Sequence, residues 1–190
     1  MEREFRTFDA DITVEQRDGE PARIVGHAAV FNAFSEDLGG FRERIAPGAF
    51  TESIGADDVR ALINHDPNLV LGRNRAGTLS LSEDERGLAI RIVPPDTSYA
   101  RDLLVSMTRG DITQMSFVFI VKRGGASWSK DDGGAVRSLT AVRLLDVSPV
   151  TFPAYPQTDV ALRELRTWTE ESAIPEDPWR VRLLRRRLID

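Results

Sequence analysis

The chain has 190 residues, of which 41% are hydrophobic and 29% charged, values typical of a globular protein with one main domain. It contains no cysteine, which excludes disulfides, thiol nucleophiles and cysteine-ligated metal sites. No apolar run reaches the roughly 18 residues of a membrane span, and the N-terminus shows no signal-peptide core, so no membrane contact is expected. The net charge of −5 argues against nucleic acid as a partner.

Short strands separated by turns are predicted for the first two-thirds of the chain. Alternating or continuous apolar residues predict strands at 11–16, 22–32, 59–64, within 69–94, at 112–123 and within 135–152. Glycine-rich polar segments predict loops at 35–43 and 124–134. The pattern at 97–109, followed by Gly110, predicts a helix. Together these elements predict a β-rich α+β fold, a mostly antiparallel, closed or nearly closed β-barrel flanked by a few helices.

The C-terminal part differs in charge and pattern. We predict a main domain at 1–166, an acidic linker at 167–178 and a basic amphipathic helix at 179–190, opened by Pro178. Residues 180–190 carry five arginines and one aspartate, so the rest of the chain has a net charge of −9. The basic face could be solvated, or it could anchor the protein to an acidic partner segment.

Two histidines limit the choice of a general base. Covalent catalysis without cysteine needs a serine, threonine, lysine or carboxylate, and a serine hydroxyl needs a base to remove its proton. His65 follows a predicted strand and precedes the proline of Asn-His-Asp-Pro, a setting that suits a residue facing a cleft. His27 lies within the apolar run IVGHAAVF and is more simply a partly buried structural histidine. We therefore prefer His65.

The residues alone do not single out a nucleophile. Ser116 lies in QMSFVF among bulky apolar neighbours, where its hydroxyl would be largely shielded from water, but the chain has many other serines. The pair His65–Asp66 falls short of a three-ligand metal site, so neither metal nor cofactor is expected.

Four successive blocks of the chain carry a family resemblance. They are GHAAVFNAFSEDLGGFRERIAPGAFTESI, INHDPNLVLGRNRAGTLSLSEDERGL, DTSYARDLLVSMTRGDITQMSFVF and LLDVSPVTFPAYPQTDVAL. In this order they resemble the prohead serine proteases of tailed phages, a family distantly similar to the herpesvirus assemblins. The resemblance covers about residues 9–165.

The resemblance implies roles for particular residues. The histidine of the Asn-His-Asp block falls on His65 as general base, and the serine of the Met-Ser-Phe block falls on Ser116 as nucleophile. The acidic residue before Val-Ser, most often glutamate in the family, is Asp146 here; it could orient His65, or it could be a solvated charge at a strand end. Arg137 and Arg143 are candidates for the oxyanion site, although solvated strand charges are the simpler interpretation.

The resemblance also implies the function: a serine endopeptidase that cleaves the scaffolding segment of the major capsid protein, and itself, inside the immature capsid in the host cytoplasm. Self-association as a dimer is expected by analogy with the assemblins. One alternative is an inactive capsid-assembly chaperone of the same fold, which retention of all three site residues disfavours. Another is an esterase, which the absence of a Gly-x-Ser-x-Gly sequence around Ser116 disfavours.

Overall fold

The computed structural model describes residues 2–9, 11–152 and 159–172. The strands in these ranges are β1 (Glu4–Asp9), β2 (Thr13–Glu15), β3 (Arg23–Val30), β4 (Phe41–Ile45), β5 (Arg60–Ile63), β6 (Asp66–Arg73), β7 (Leu79–Glu83), β8 (Gly87–Ile92), β9 (Gln114–Val121), β10 (Ala126–Asp131), β11 (Gly134–Leu139) and β12 (Val142–Val150). The α-helices are α1 (Thr51–Ala56), α2 (Ser98–Arg109) and α3 (Asp159–Ser172). The predicted β-rich α+β class is therefore confirmed.

Helix α2 lies where the sequence places it. Its buried residues are Ala100, Leu103 and Met107, which recur on one face at helical spacing. Gly110 ends the helix in a left-handed conformation with φ of 82°, and its N–H donates to the carbonyl of Met107. The predicted range of 97–109 is correct to within one residue.

The described strands pair in three sheets rather than in one continuous sheet. Their strand orders are β1-β9-β12-β5-β6, β10-β11-β4 and β2-β3-β8-β7. Most pairs are antiparallel, as predicted, but β4 and β11 pair in parallel, as do β5 and β12. Within the described ranges none of the three sheets closes on itself, so the predicted barrel is not supported. Apolar patterns in the sequence indicate where strands lie but not which strands pair. The two parallel pairings could therefore not be predicted, since they join strands that are distant in the chain.

Three strands were missed by the sequence pattern. No element was predicted at β1, whereas β4 overlaps the predicted loop at 35–43 and β10 lies inside the predicted loop at 124–134. Their sequences, EFRTFD, FRERI and ASWSKD, carry charged or polar residues along most of their length. Because half-buried strands are recognised by apolar alternation, such strands resemble loops until their pairing is known.

Buried ion pairs explain how charged strands enter the interior. Glu4 and Arg6 of β1, Glu43 of β4 and Arg137 of β11 are each at most 4% exposed. Arg6 Nε lies 2.6 Å from Glu43 Oε1, and Arg137 Nη1 lies 2.7 Å from Glu4 Oε2 and 3.0 Å from Glu43 Oε2. These four side chains, here called the ion quartet, carry no net charge and join β1 to the three-stranded sheet.

One face of β9 packs in the hydrophobic core. Phe117 and Phe119 stack with ring centroids 5.1 Å apart, and Phe50 packs edge-on against Phe117 at 5.6 Å. Because side chains alternate along a strand, Ser116 and Val118 lie on the opposite face of β9. The aromatic packing therefore fixes which face of the sheet carries Ser116.

The chain divides into two compact units, 1–157 and 158–190. In the second unit α3 covers Asp159–Ser172, so the first part of the predicted linker at 167–178 is helical. Residues 173–190, which include the predicted helix at 179–190, lie outside the described residues. No helix within the described ranges is both long and apolar enough to span a membrane.

Candidate active site

Two of the three candidate site residues lie on neighbouring strands of the five-stranded sheet, and the third lies in a turn between two of its strands. Ser116 is on β9, Asp146 is on β12, and His65 is in the turn between β5 and β6. In the sheet order β12 lies between β9 and β5. Ser148 of β12 is directly opposite Ser116, and Asp146 precedes Ser148 by two residues. The side chains of Ser116, Asp146 and Ser148 therefore share one face.

A β-bulge in β12 puts Asp146 on this face. Leu144 is opposite Phe119 and Asp146 is opposite Val118, which leaves Leu145 as an extra residue. Regular alternation would place positions 144 and 146 on the same face, in the core. The bulge lets Leu144 remain in the core with Phe119 while Asp146 joins the face of Ser116.

The hydroxyl of Ser53 accepts a hydrogen bond next to the bulge. The backbone N–H of Leu144 donates to Ser53 Oγ at 2.7 Å, and Ser53 Oγ donates to Asp57 Oδ2 at 2.6 Å. Ser53 is fully buried in α1. Helix α1 thus supplies a hydrogen-bond partner beside the irregularity in the β9–β12 ladder.

The turn that carries His65 has an uncommon backbone conformation. Ile63 and Asp66 are cross-strand partners, so Asn64 and His65 form a two-residue loop, with φ of 51° and 59°. Positive φ at both central residues is the requirement of a type I′ turn, and asparagine and histidine are among the residues that tolerate it best.

Asn64 fastens this turn to the end of β12. Its Oδ1 accepts from the backbone N–H of Thr151 at 2.9 Å, and its Nδ2 donates to Thr151 Oγ1 at 3.3 Å. Its own N–H donates to the carbonyl of Pro149 at 3.1 Å. The segment preceding His65 is therefore held against the strand that carries Asp146.

The imidazole of His65 is held from two sides. Its Nδ1 lies 2.6 Å from Asp146 Oδ1, with both side chains about 15% exposed. On another side the ring meets Phe5 of β1 edge-on, with centroids 5.2 Å apart. A carboxylate at this distance favours the tautomer with the proton on Nδ1, which leaves Nε2 with a lone pair.

Two buried polar atoms of this face have no hydrogen-bond partner among the described residues: His65 Nε2 and Ser116 Oγ. Buried polar atoms without partners are rare in folded proteins. The structure contains no hydrogen bond between these two atoms, so each retains its capacity to bond. A basic nitrogen and a hydroxyl, both unpaired and belonging to the same five-stranded sheet and its β5–β6 turn, are the groups that general-base activation of a serine requires.

His27 lies in a different sheet from Ser116 and pairs with a different aspartate from His65. On β3, its Nε2 lies 2.8 Å from Asp84 Oδ2. This hydrogen bond, followed by those from the backbone N–H groups of Gly87 and Arg86, lowers the pKa of Asp84 to about 2. His27 thus joins the β7–β8 turn to β3, in the four-stranded sheet rather than in the sheet of Ser116.

The two arginines considered for an oxyanion site are both engaged elsewhere. Arg137 is fully buried in the ion quartet, and so it is not the solvated strand charge that the sequence suggested. Arg143 is about half exposed, and its Nε lies 3.3 Å from Asp57 Oδ1. Within the described ranges, no three His, Asp or Glu side chains are grouped to hold a metal ion.

Sequence reasoning missed three residues that contact the candidate site: Phe5, Asn64 and Ser148. Phe5 lies in a strand that the pattern did not reveal. Asn64 and Ser148 stand beside the recognised residues, but their contacts depend on the turn and the bulge. Ser148 could have been found from the sequence, because it lies two residues after Asp146 in a predicted strand and so shares its face.

Comparison with known proteins identifies the family of the chain. Residues 10–171 match the family described as caudovirus prohead serine protease. The chain belongs to this family. The resemblance predicted from the sequence is thereby confirmed, and His65, Ser116 and Asp146 all lie within the range that matches the prohead serine proteases.

Among solved structures, the capsid assembly protease of bacteriophage T4 is similar, with a TM-score of 0.49 and 10% sequence identity over 80% of this chain and 100% of that chain. No curated protein matches the sequence.

Proposed function

We propose that this member of the prohead protease family is an active serine endopeptidase, with Ser116 as nucleophile, His65 as general base and Asp146 as the residue that orients His65. The observation that carries the proposal is the 2.6 Å contact between His65 Nδ1 and Asp146 Oδ1, combined with an unpartnered Nε2. Membership of a serine protease family supports the same assignment.

The proposed reaction has two steps. Ser116 Oγ attacks the carbonyl carbon of the scissile peptide while His65 Nε2 accepts the hydroxyl proton, and the same proton then passes to the leaving amine. Water next attacks the acyl-enzyme, gives a proton to Nε2, and releases the carboxylic acid as Ser116 recovers its proton. Throughout, Asp146 accepts the Nδ1–H bond and stabilises the imidazolium by its negative charge. Closer approach of Nε2 to Oγ would accompany substrate binding, since catalytic hydrogen bonds often tighten only then.

The proposed substrate is the scaffolding segment of the major capsid protein, cleaved inside the immature capsid in the host cytoplasm. Its partner would be the major capsid protein, and self-association as a dimer is part of the proposal. The catalytic part would be 1–166, joined through 167–178 to a basic helix at 179–190 that anchors the enzyme to an acidic segment. Self-cleavage would fall in this acidic linker.

The test is co-expression of the chain with the major capsid protein of the same phage. The wild type should shorten the capsid protein, whereas Ser116→Ala and His65→Ala should leave it intact. Ser138→Ala is a matched control, because Ser138 is a buried strand serine whose hydroxyl accepts from Arg44 at 2.9 Å, away from the site; this variant should cleave like the wild type.

Three outcomes would contradict parts of the proposal. Equal cleavage by Ser116→Ala would remove Ser116 as nucleophile. Assembly of regular capsids with no cleavage by any variant would favour the inactive chaperone. Mass spectrometry of the purified enzyme tests self-cleavage, and an intact C-terminus after prolonged incubation with active enzyme would rule it out.

A further inference from the structure

Ser148 contacts the same carboxylate oxygen that pairs with His65. Its Oγ donates to Asp146 Oδ1 at 2.9 Å, and His65 Nδ1 lies 2.6 Å from that oxygen. Ser148 is fully buried on β12, directly opposite Ser116 in the β9–β12 ladder. Its hydroxyl is therefore fixed between the proposed nucleophile's strand and the proposed orienting residue.

Two donors constrain the carboxylate more than one can. A carboxylate with a single partner can turn about its Cβ–Cγ bond, because that terminal torsion is broad. Donors on two different groups, His65 from the turn and Ser148 from the strand, allow only an orientation that satisfies both. Hydrogen bonds to an ionised acceptor are among the stronger ones, so the constraint is energetically substantial.

The hydrogen bond of Ser148 argues against Ser148 as the nucleophile. Its proton is directed to Asp146, whereas Ser116 Oγ has no partner among the described residues. A carboxylate is a weaker base than a neutral imidazole, and the carboxylate of Asp146 already accepts the imidazole N–H, so it is poorly suited to remove the proton of a nucleophile. The geometry thus separates the roles of two buried serines that face each other across the ladder.

We propose that Ser148 is a positioning residue: its hydroxyl holds the Asp146 carboxylate in the orientation that accepts the Nδ1–H of His65, and so keeps Nε2 directed towards the scissile site. This inference rests on the proposed catalytic roles of Ser116, His65 and Asp146. It adds a residue that acts through Asp146 rather than on the proton of the nucleophile.

The experiment measures the labelling of the full chain by a fluorophosphonate, which reacts with an activated serine and needs no capsid substrate. Intact mass gives the rate constant, and peptide mapping identifies the labelled serine. Ser148→Ala should lower the rate about 10- to 100-fold, the loss expected for one hydrogen bond to a charged group. Ser148→Thr, which retains the hydroxyl, should recover most of that loss, and Ser138→Ala should label like the wild type.

A spectroscopic measurement provides a readout that does not depend on activity. In the wild type the Nδ1–H proton of His65 should give a downfield NMR signal protected from exchange, assigned by comparison with His27→Gln, since the chain has only two histidines. In Ser148→Ala this signal should exchange at least about 10-fold faster, because local opening that breaks the His65–Asp146 bond becomes easier. Far-UV circular dichroism checks that each variant is folded.

The outcomes separate this inference from the proposed function. If Ser116→Ala abolishes labelling while Ser148→Ala leaves both the rate and the His65 signal unchanged, the role of Ser148 is refuted and the proposed function stands. If Ser116→Ala still labels, Ser116 is not the nucleophile, yet the His65 signal still decides whether Ser148 positions Asp146. A label on Ser148 itself would overturn both assignments.

Discussion

The ion quartet allows a quantitative prediction about how β1 is held. Glu4 lies 2.7 Å and 3.1 Å from two nitrogens of Arg137 and 3.0 Å from Arg6 Nη2, with its side chain 2% exposed. Glu4→Gln keeps the size of the side chain but leaves two arginines facing one glutamate in the interior. The change therefore creates one uncompensated buried positive charge.

The expected destabilisation is large for a single isosteric substitution. Removing one partner of a buried ion pair costs about 3 to 5 kcal/mol, because the remaining charge stays desolvated. With a urea m-value of about 2 kcal/mol/M, the midpoint of unfolding should fall by about 1.5 to 2.5 M. Removing Arg6 as well, in Glu4→Gln/Arg6→Met, restores a neutral cluster, so the double variant should be more stable than additivity predicts, by about 1.5 kcal/mol or more.

The assay is urea unfolding followed by far-UV circular dichroism and by fluorescence, in a Ser116→Ala background that prevents self-cleavage. Trp128 reports on this region, since its ring lies 6.0 Å from Arg137 Cζ. Glu20→Gln is the control, because Glu20 pairs with Arg23 at the surface and should cost no more than about 1 kcal/mol. A midpoint for Glu4→Gln equal to that of Glu20→Gln, or strict additivity in the double variant, would refute the reasoning.

Further predictions concern Asn64 in the turn of His65, Phe5, which contacts His65, and Asp84, which pairs with His27. Asn64→Gly should destabilise less than Asn64→Ala in urea unfolding, because both lose the side-chain bonds to the end of β12 but only glycine adopts φ of 51° without strain; equal losses would contradict this. Phe5→Ala should slow fluorophosphonate labelling about 2- to 10-fold, since an aromatic contact with His65 contributes about 0.5 to 1.5 kcal/mol, and an unchanged rate would count against that contact. The pKa of Asp84 is lowered to about 2, chiefly by its hydrogen bond with His27. Its contribution to stability is therefore full above the unfolded value of about 3.9 and is lost as pH falls through about 2. Between about pH 4 and pH 2 the wild type should thus lose more stability than Asp84→Asn, and parallel urea midpoints in the two proteins would contradict this.

Several features could be predicted from the sequence because they depend on local patterns. Helix α2 and its glycine cap follow from apolar spacing and from the freedom of Gly110 to adopt positive φ. The strand of Ser116 follows from a continuous apolar run. Counting histidines restricted the choice of base, and the family blocks singled out Ser116 and Asp146. The helix and the strand need only residues close together in the chain, and the other two inferences need only residue types and their order.

Other features were decided only by contacts between distant segments. The alternation rule applied to β12 would put Asp146 on the core face with Leu144, and only pairing with β9 introduces the extra residue, Leu145, that turns Asp146 towards His65. Arg137 looked like a solvated charge because its partners, Glu4 and Glu43, lie 133 and 94 residues away along the chain.

Contacts between distant segments also decided which strands pair and how the candidate site is assembled. Sequence patterns predicted most of the strands, but not β1, β4 or β10, and not the parallel pairing of β5 with β12 that brings the turn of His65 beside Asp146. The physical reason is that backbone hydrogen bonds and ion pairs in a sheet protein join residues far apart in sequence. A one-residue shift in such a ladder reverses every side chain beyond it. The residue types of the site were thus set by the sequence, and their common face by the tertiary structure.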